Sequence, residues 1–302
     1  MAYLKIKGVI PPMITPFSEN DEVDYEKHEK NMKKWNEYDL AGYLVLGSNS
    51  ETVYLTEEEK LKLIELTVKH RKKGKIVMVG TGMESTNATI ELSNKAADLG
   101  ADCALIITPF YYCGKMNDEA LINYYTDVAN AVKIPVLIYN VTKFTHINIS
   151  QKAVSVLSKH PNIIGMKDSS GSIPQLVDFK RVIDMNEFNL MVGTASAWYP
   201  ALTLGVEGSV MALANCCPGE CVDIQKEFEL GNFDTAREIY ERVFQVNSAV
   251  TGAFGIAGLK YACDLLGFEG GLVRKPLLQL KDDEKFKLKE ILINAHVLRN
   301  NI

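Results

Sequence analysis

Short β-branched, apolar runs alternate with helix-length amphipathic segments eight times along residues 1–231. This alternation constrains the fold more than any other feature. Each return to the next parallel strand needs a crossover, usually a helix. The runs are Gly8–Met13, Tyr43–Leu46, Ile76–Val79, Ala104–Ile107, Val136–Tyr139, Ile163–Met166, Leu190–Val192 and Ser209–Ala212. Helices are expected at Asp24–Tyr38, from Thr56, after Ser85, at Asp118–Val132, near Ser150–Ser158, at Pro174–Ile183, near Ala197–Leu204 and at Pro218–Leu230. Thr56-Glu57-Glu58-Glu59 is a capping-box pattern. Eight strand–helix units match a closed (β/α)8 TIM barrel, an α/β fold. An open doubly wound sheet is the competitor, but it usually has fewer strands and a Gly-rich phosphate turn after the first. The stretch Ile10–Phe17 has no glycine. The barrel is therefore the expected fold.

Residues 232–302 show no strand pattern. Helices are expected at Phe233–Ala249, Ile256–Leu266 and Asp282–Leu298, with Gly267, Gly270, Gly271 and Pro276 separating the last two. The expectation is a barrel over 1–231 and a C-terminal helical appendage over 232–302, packed as one structural unit.

Several function classes are disfavoured. Lys+Arg number 33 against 38 Asp+Glu, a formal net charge of −5. No basic excess exists for a nucleic-acid backbone. No run of about 18 apolar residues is present to cross a membrane. Lys5, Lys7, Pro11 and Pro12 interrupt the N-terminal apolar stretch that a signal peptide would need. A cytoplasmic protein is expected. Cys216, Cys217 and Cys221 are the one close group among six cysteines, without a nearby histidine or second pair. They read as buried thiols rather than metal ligands. The five histidines have no ligand spacing, and Gly80-Thr81-Gly82 lacks the rest of a dinucleotide fingerprint. Neither metal nor cofactor is expected.

Barrel active sites form at the carboxyl ends of the strands. Those ends offer Thr15, the turn Gly47-Ser48-Asn49-Ser50-Glu51, Thr81, Thr108 with Tyr111 and Tyr112, Tyr139-Asn140, Lys167-Asp168, Gly193-Thr194 and Ala212–Asn215. Lys167 ends an apolar run. Desolvation there would lower its pKa and free the amine as a nucleophile for Schiff-base chemistry. The other reading is a strand-end lysine that reaches water. Tyr139 reads either as a proton shuttle or as a core tyrosine with a satisfied hydroxyl. Ser48 and Asn49 either hold a carboxylate or form a plain turn. Glu51 reads as a residue that caps or orients that turn. Tyr111 and Tyr112 read as surface aromatics or as part of a subunit contact.

Taken together, Gly47-Ser48-Asn49-Ser50-Glu51, Thr108-Pro109-Phe110-Tyr111-Tyr112, Tyr139-Asn140-Val141 and Gly165-Met166-Lys167-Asp168-Ser169 resemble the dihydrodipicolinate synthase / N-acetylneuraminate lyase family. The tail stretches Phe254–Lys260 and Arg274–Leu277 extend the resemblance over nearly the whole chain. It implies a class I, metal-independent lyase that uses pyruvate or another 2-keto acid and an aldehyde. It also implies a homotetramer of tight dimers. By position, Lys167 matches the Schiff-base lysine and Tyr139 the proton-shuttling tyrosine. Ser48 and Asn49 match the carboxylate-binding pair, and Tyr111 the tyrosine that reaches the neighbouring subunit's site. Gly193 and Val210 match positions lining the pyruvate pocket.

Within the family, the Gly-Ser-Asn turn, Gly-Met-Lys-Asp-Ser and Phe-Gly-Ile-x-Gly-Leu-Lys are similar to 4-hydroxy-2-oxoglutarate aldolases. Synthases more often carry Gly-Thr-Thr-Gly-Glu. They also carry an arginine five residues after the shuttling tyrosine, where this chain has Phe144. A phenyl ring cannot pair with a carboxylate. The positions of lysine-binding histidines in feedback-regulated synthases hold Glu57 and Lys60. An aldolase is therefore the expected branch, with Phe144 as an apolar wall and Lys143 or His146 as the source of a compensating charge. The alternatives are dihydrodipicolinate synthase, N-acetylneuraminate lyase, a sugar-acid aldolase or dehydratase, and a non-catalytic ligand-binding paralogue.

Overall fold

The computed structural model describes residues 4–299. The outermost residues of the expected barrel and tail regions, 1–3 and 300–302, lie outside the described residues. Eight parallel strands are present: β1 Gly8–Ile10, β2 Gly42–Val45, β3 Ile76–Gly80, β4 Cys103–Ile107, β5 Val136–Asn140, β6 Ile163–Asp168, β7 Asn189–Val192 and β8 Gly208–Val210. They pair in the order β1-β8-β7-β6-β5-β4-β3-β2. The circle closes between β1 and β2. Ala41 N–H donates to Val9, Leu44 N–H to Pro11 and Met13 N–H to Leu44, at 2.9, 3.0 and 2.8 Å. The molecule is the expected (β/α)8 barrel. β1 is shorter than the expected Gly8–Met13 because Pro11 and Pro12 have no N–H to extend its ladder.

The helices on the barrel are α1 Tyr25–Trp35, α2 Glu57–His70, α3 Thr86–Asp98, α4 Asp118–Ala131, α5 Thr142–Thr145, α6 Gln151–Leu157, α7 Ile173–Lys180, α8 Trp198–Thr203 and α9 Pro218–Glu229. Most of them begin at a side-chain cap. Asp24, Ser85, Asn117, Ser150 and Ser172 each accept a backbone N–H of the first turn. Thr56 and Glu59 form the full capping box. The four-residue α5, directly after β5, has no counterpart in the sequence periodicity. One turn is too short to show any.

The apolar side chains divide into two clusters, one between sheet and helices and one inside the barrel. Ile10, Leu44, Leu105, Leu137, Met191 and Val210 belong to the interior. The amino end of the barrel is closed by Asn189. Its amide donates to Leu4 and Ile164 carbonyls and accepts from Ile6 N–H.

The tail forms α10 Phe233–Ser248, a π-helical turn Ala249–Ala253, α11 Gly255–Leu265 and α12 Asp282–Asn294. α10 packs on α9, and α11 packs on the loop after β8. α12 stops four residues before the expected Leu298. His296 takes a left-handed φ of 53°, which cannot continue a helix. No helix among the described residues is long and apolar enough to cross a membrane.

Candidate active site

Tyr139 and Lys167 are register partners on β5 and β6, and Lys167 pairs with Met191 on β7. All three therefore face the interior. This facing is not what a regular strand would produce. Ile164 also points inward, three residues before Lys167, whereas Ile163 and Met166 point outward. An irregularity between Val136 and Leu137 resets the phase, since Ile163 pairs with Val136 but Gly165 pairs with Leu137. Ile164 is the extra residue, a local bulge that re-aims the rest of β6.

Lys167 is 4% exposed, and its ammonium nitrogen lies 4.3 Å from the centre of the Tyr139 ring. Burial pushes its pKa below the ordinary lysine value, and the neighbouring Tyr139 hydroxyl opposes that shift. No carboxylate pairs with it among the described residues. The amine thus gives up its proton more readily than a lysine in water. Gly193, just past β7, leaves the space it needs. A side chain there would overlap Ser169 and come within 2.8 Å of Lys167 Cε.

The turn after β2 approaches from the other side. Ser48 Oγ lies 3.4 Å from Tyr139 Oη, so Ser48, Tyr139 and Lys167 form a continuous row. The turn is a tight helical one over Ser48–Ser50, bracketed by two left-handed residues, Leu46 (φ 60°) and Glu51 (φ 55°). Non-glycine residues there carry strain, a pattern that clusters at functional sites. Ser50 Oγ donates to Met13 O at 2.6 Å and pins the turn to the strand-one loop. Asn49 Nδ2, Thr108 Oγ and Ser169 Oγ are buried without a hydrogen-bond partner. Each lies at the carboxyl end of a strand, and such unpaired groups are the ones a ligand can satisfy.

The other expected residues are more scattered. Val210 is fully buried in the interior cluster beside β1. Tyr111 is 75% exposed and makes no hydrogen bond to Lys167, Tyr139 or Ser48. Its ring packs edge-on against Tyr112, and Glu84 accepts its backbone N–H. Phe144 lies on α5 and is half-exposed. Lys143 does not reach toward the row. Its ammonium donates to Thr251 O, in the π-helical turn of the tail, at 2.7 Å. His146 is exposed, with a φ of 56° that ends α5.

Two sets of contacts are not apparent in the sequence. Asp168 is buried and accepts from Asn140, Ser170 and Gln175, so it ties the ends of β5 and β6 together. Glu51 pairs with Lys260 of α11 at 2.5 Å, both side chains 1% exposed. The available signal was a lysine within the apolar stretch Gly258–Cys263. Cys216, Cys217, Cys221 and Cys263 are all buried, with Cys217, Cys221 and Cys263 pushed well above the ordinary thiol range. A cleft of about 1060 Å³ at the opposite end of the barrel is lined by Lys7, Lys75 and Glu229. Both lysines are paired with acids, and none of the strand-end residues reaches it.

Comparison with known proteins identifies the family. A model of the dihydrodipicolinate synthetase family matches residues 5–295. The 4-hydroxy-tetrahydrodipicolinate synthase of Methanothrix thermoacetophila is 32% identical, over 95% of this chain and 96% of that protein. The enzyme of the same name from Brachyspira hyodysenteriae is 31% identical, over 97% and 98%. The crystal structure of dihydrodipicolinate synthase from Aquifex aeolicus superposes with a TM-score of 0.89 at 29% identity, covering 98% of this chain and all of that one. These relatives carry the synthase name, not that of the 4-hydroxy-2-oxoglutarate aldolases that the turn motif resembles. From strand-six lysine to tail helices, this chain belongs to the dihydrodipicolinate synthetase family, whose members are carbon–carbon lyases of the class I aldolase type.

Proposed function

We propose that Lys167 forms a Schiff base with pyruvate and that the enzyme joins the resulting enamine to an aldehyde, or cleaves the product in reverse. The observation that carries this reading is the buried, carboxylate-free Lys167 in register with Tyr139, which in turn lies 3.4 Å from Ser48 Oγ. The neutral amine attacks C2 of the keto acid. Tyr139 and Ser48 relay protons as the carbinolamine loses water. The protonated imine acidifies C3, loss of a C3 proton gives the enamine, and the enamine adds to the aldehyde carbon. Hydrolysis of the new imine returns Lys167. The N–H groups of Ser48 and Asn49, with the unpaired Asn49 amide, hold the keto-acid carboxylate in a water-poor pocket. Gly193 and Val210 shape the floor around the methyl group.

Tyr111 completes the relay from a second copy of the chain, within a tetramer of tight dimers. Its 75% exposure supports this, since it adjoins the 71% exposed Tyr112 and contiguous exposed aromatics mark contact surfaces.

The relatives' name favours synthesis of 4-hydroxy-tetrahydrodipicolinate. Subtracting pyruvate from that skeleton leaves a four-carbon amino-acid aldehyde as acceptor. A second reading rests on the Gly47-Ser48-Asn49 turn, which resembles that of 4-hydroxy-2-oxoglutarate aldolases, and on Phe144, which stands where synthases carry an arginine. It makes the enzyme a 4-hydroxy-2-oxo acid aldolase, with glyoxylate as the cleavage product of 4-hydroxy-2-oxoglutarate. Borohydride reduction in the presence of pyruvate, with peptide mapping, tests the shared chemistry. The expected result is a pyruvyl adduct on Lys167, absent in Lys167→Met. An unmodified Lys167 in folded protein overturns the reading. Pyruvate consumption with each aldehyde then separates the two branches.

A further inference from the structure

The turn that carries Ser48 and Asn49 is not held by the barrel alone. Glu51 ends it, and its backbone N–H donates to Ser48 O at 3.1 Å. Its carboxylate is buried and points at the C-terminal segment. One oxygen contacts Lys260 Nζ of α11 at 2.5 Å, and the other accepts the backbone N–H of Arg274 at 2.8 Å. Lys260 also donates to Leu272 O at 2.6 Å and sits 4.5 Å over the Phe17 ring. The Arg274 guanidinium lies 4.4 Å from the centre of the same ring. Both of its terminal nitrogens bind Glu59, the capping-box acid of α2, at 2.7 Å. It donates further to Tyr54 O and Asp21 O. The segment is thus fastened to the residues on both sides of the turn.

We infer that Lys260 is a positioning residue: together with the backbone N–H of Arg274 it holds Glu51, and through Glu51 it fixes the Ser48–Asn49 turn and so sets how tightly the enzyme holds a 2-keto acid by its carboxylate. The inference rests on the function proposed above. Three physical points support it. A left-handed Glu51 is unfavourable unless its surroundings over-determine it. The buried carboxylate meets a charge at one oxygen and a backbone hydrogen bond at the other, and an unpaired charge left there is costly. Of the turn's own donors toward a ligand, Asn49 Nδ2 is unpaired and the Ser48 hydroxyl contacts only Tyr139, itself part of the row. The anchoring is delegated to Ser50 and Glu51.

The test compares pyruvate with acetone, the same methyl ketone without the carboxylate. Borohydride trapping on Lys167 is measured against ketone concentration. Glu51→Asp keeps the charge and shortens the arm. Glu51→Gln with Lys260→Met removes the pair without leaving a lone buried charge. In both, the half-saturating pyruvate concentration is expected to rise about tenfold or more, since small displacements of a positioning group are costly. The half-saturating acetone concentration is expected to change less than about twofold, and the maximal pyruvate trapping to stay complete. A pyruvate-to-acetone preference equal to wild type in Glu51→Asp overturns the inference, as does an equal loss with both ketones. Should the double variant fail to fold, Glu51→Asp decides alone. Failure of wild-type protein to be trapped by pyruvate at all overturns the proposed function instead.

Discussion

Tyr139 and Lys167 sit side by side on adjacent strands, with the lysine nitrogen 4.3 Å from the phenol ring centre. The pair shares a face only because the bulge at Ile164 shifts the phase of β6 by one residue. Burial lowers the lysine's pKa, and the phenol partly offsets that. In wild type, the rate of pyruvate trapping should rise with pH as the amine loses its proton, with an inflection below the free-lysine value of 10.5. Tyr139→Phe removes the opposing influence, so the inflection should move to lower pH. Turnover should fall by about 10²- to 10⁴-fold, as for loss of a proton-transfer group. An inflection that stays in place or moves up would contradict the assignment.

Gly193→Ala tests the space reserved for the lysine. The added methyl meets Ser169 and Lys167 Cε. Overpacking of this kind typically costs about 1–3 kcal/mol. The melting temperature should fall, and the Lys167 adduct should form at least about tenfold more slowly at saturating pyruvate, because the amine is displaced from its attack position. Trapping kinetics alongside calorimetry check both.

Phe144→Arg places a donor fork on α5, where the aldehyde's outer end is expected. The KM for a carboxylate-bearing aldehyde should fall about tenfold relative to a neutral aldehyde of the same length, the range of a charge-assisted hydrogen bond. Pyruvate trapping in the absence of aldehyde should be unchanged. Steady-state kinetics with the two aldehydes decide it. An unchanged ratio would mean that α5 does not border the acceptor.

His28 on α1 sets an acid limit on stability. It is fully buried, with Nε2 3.1 Å from Thr67 Oγ1 and Nδ1 unpaired. Burial, with His70 nearby, lowers its pKa to about 4. Its unfolded value is 6.5, so between those values the unfolded chain binds more protons. Stability is complete above pH 6.5 and is lost as pH falls toward about 4. The loss from this group is on the order of 2 kcal/mol by pH 5. His28→Gln cannot charge, so its urea midpoint should fall less than that of wild type between pH 7 and pH 5. Parallel midpoints would remove His28 from the account.

Much of the site could be read from order along the chain. Lys167, Tyr139, Gly193 and Ser48 each end or follow a strand, and carboxyl ends of barrel strands must converge. The Thr56–Glu59 cap could be read because both partners are local. The ion pair of Glu51 with Lys260 could not. Its partners are far apart in sequence, and nothing local to either demands the other.

The eight-unit alternation, the helix starts and the residues available at the mouth are legible along the chain, because they depend on periodicity and on neighbours within a few positions. Tertiary structure decided which way Lys167 points, that Lys143 turns to Thr251, and that the tail grips the Ser48–Asn49 turn. Those outcomes depend on strand register and buried charge pairing, both set between segments that meet only once the barrel has closed.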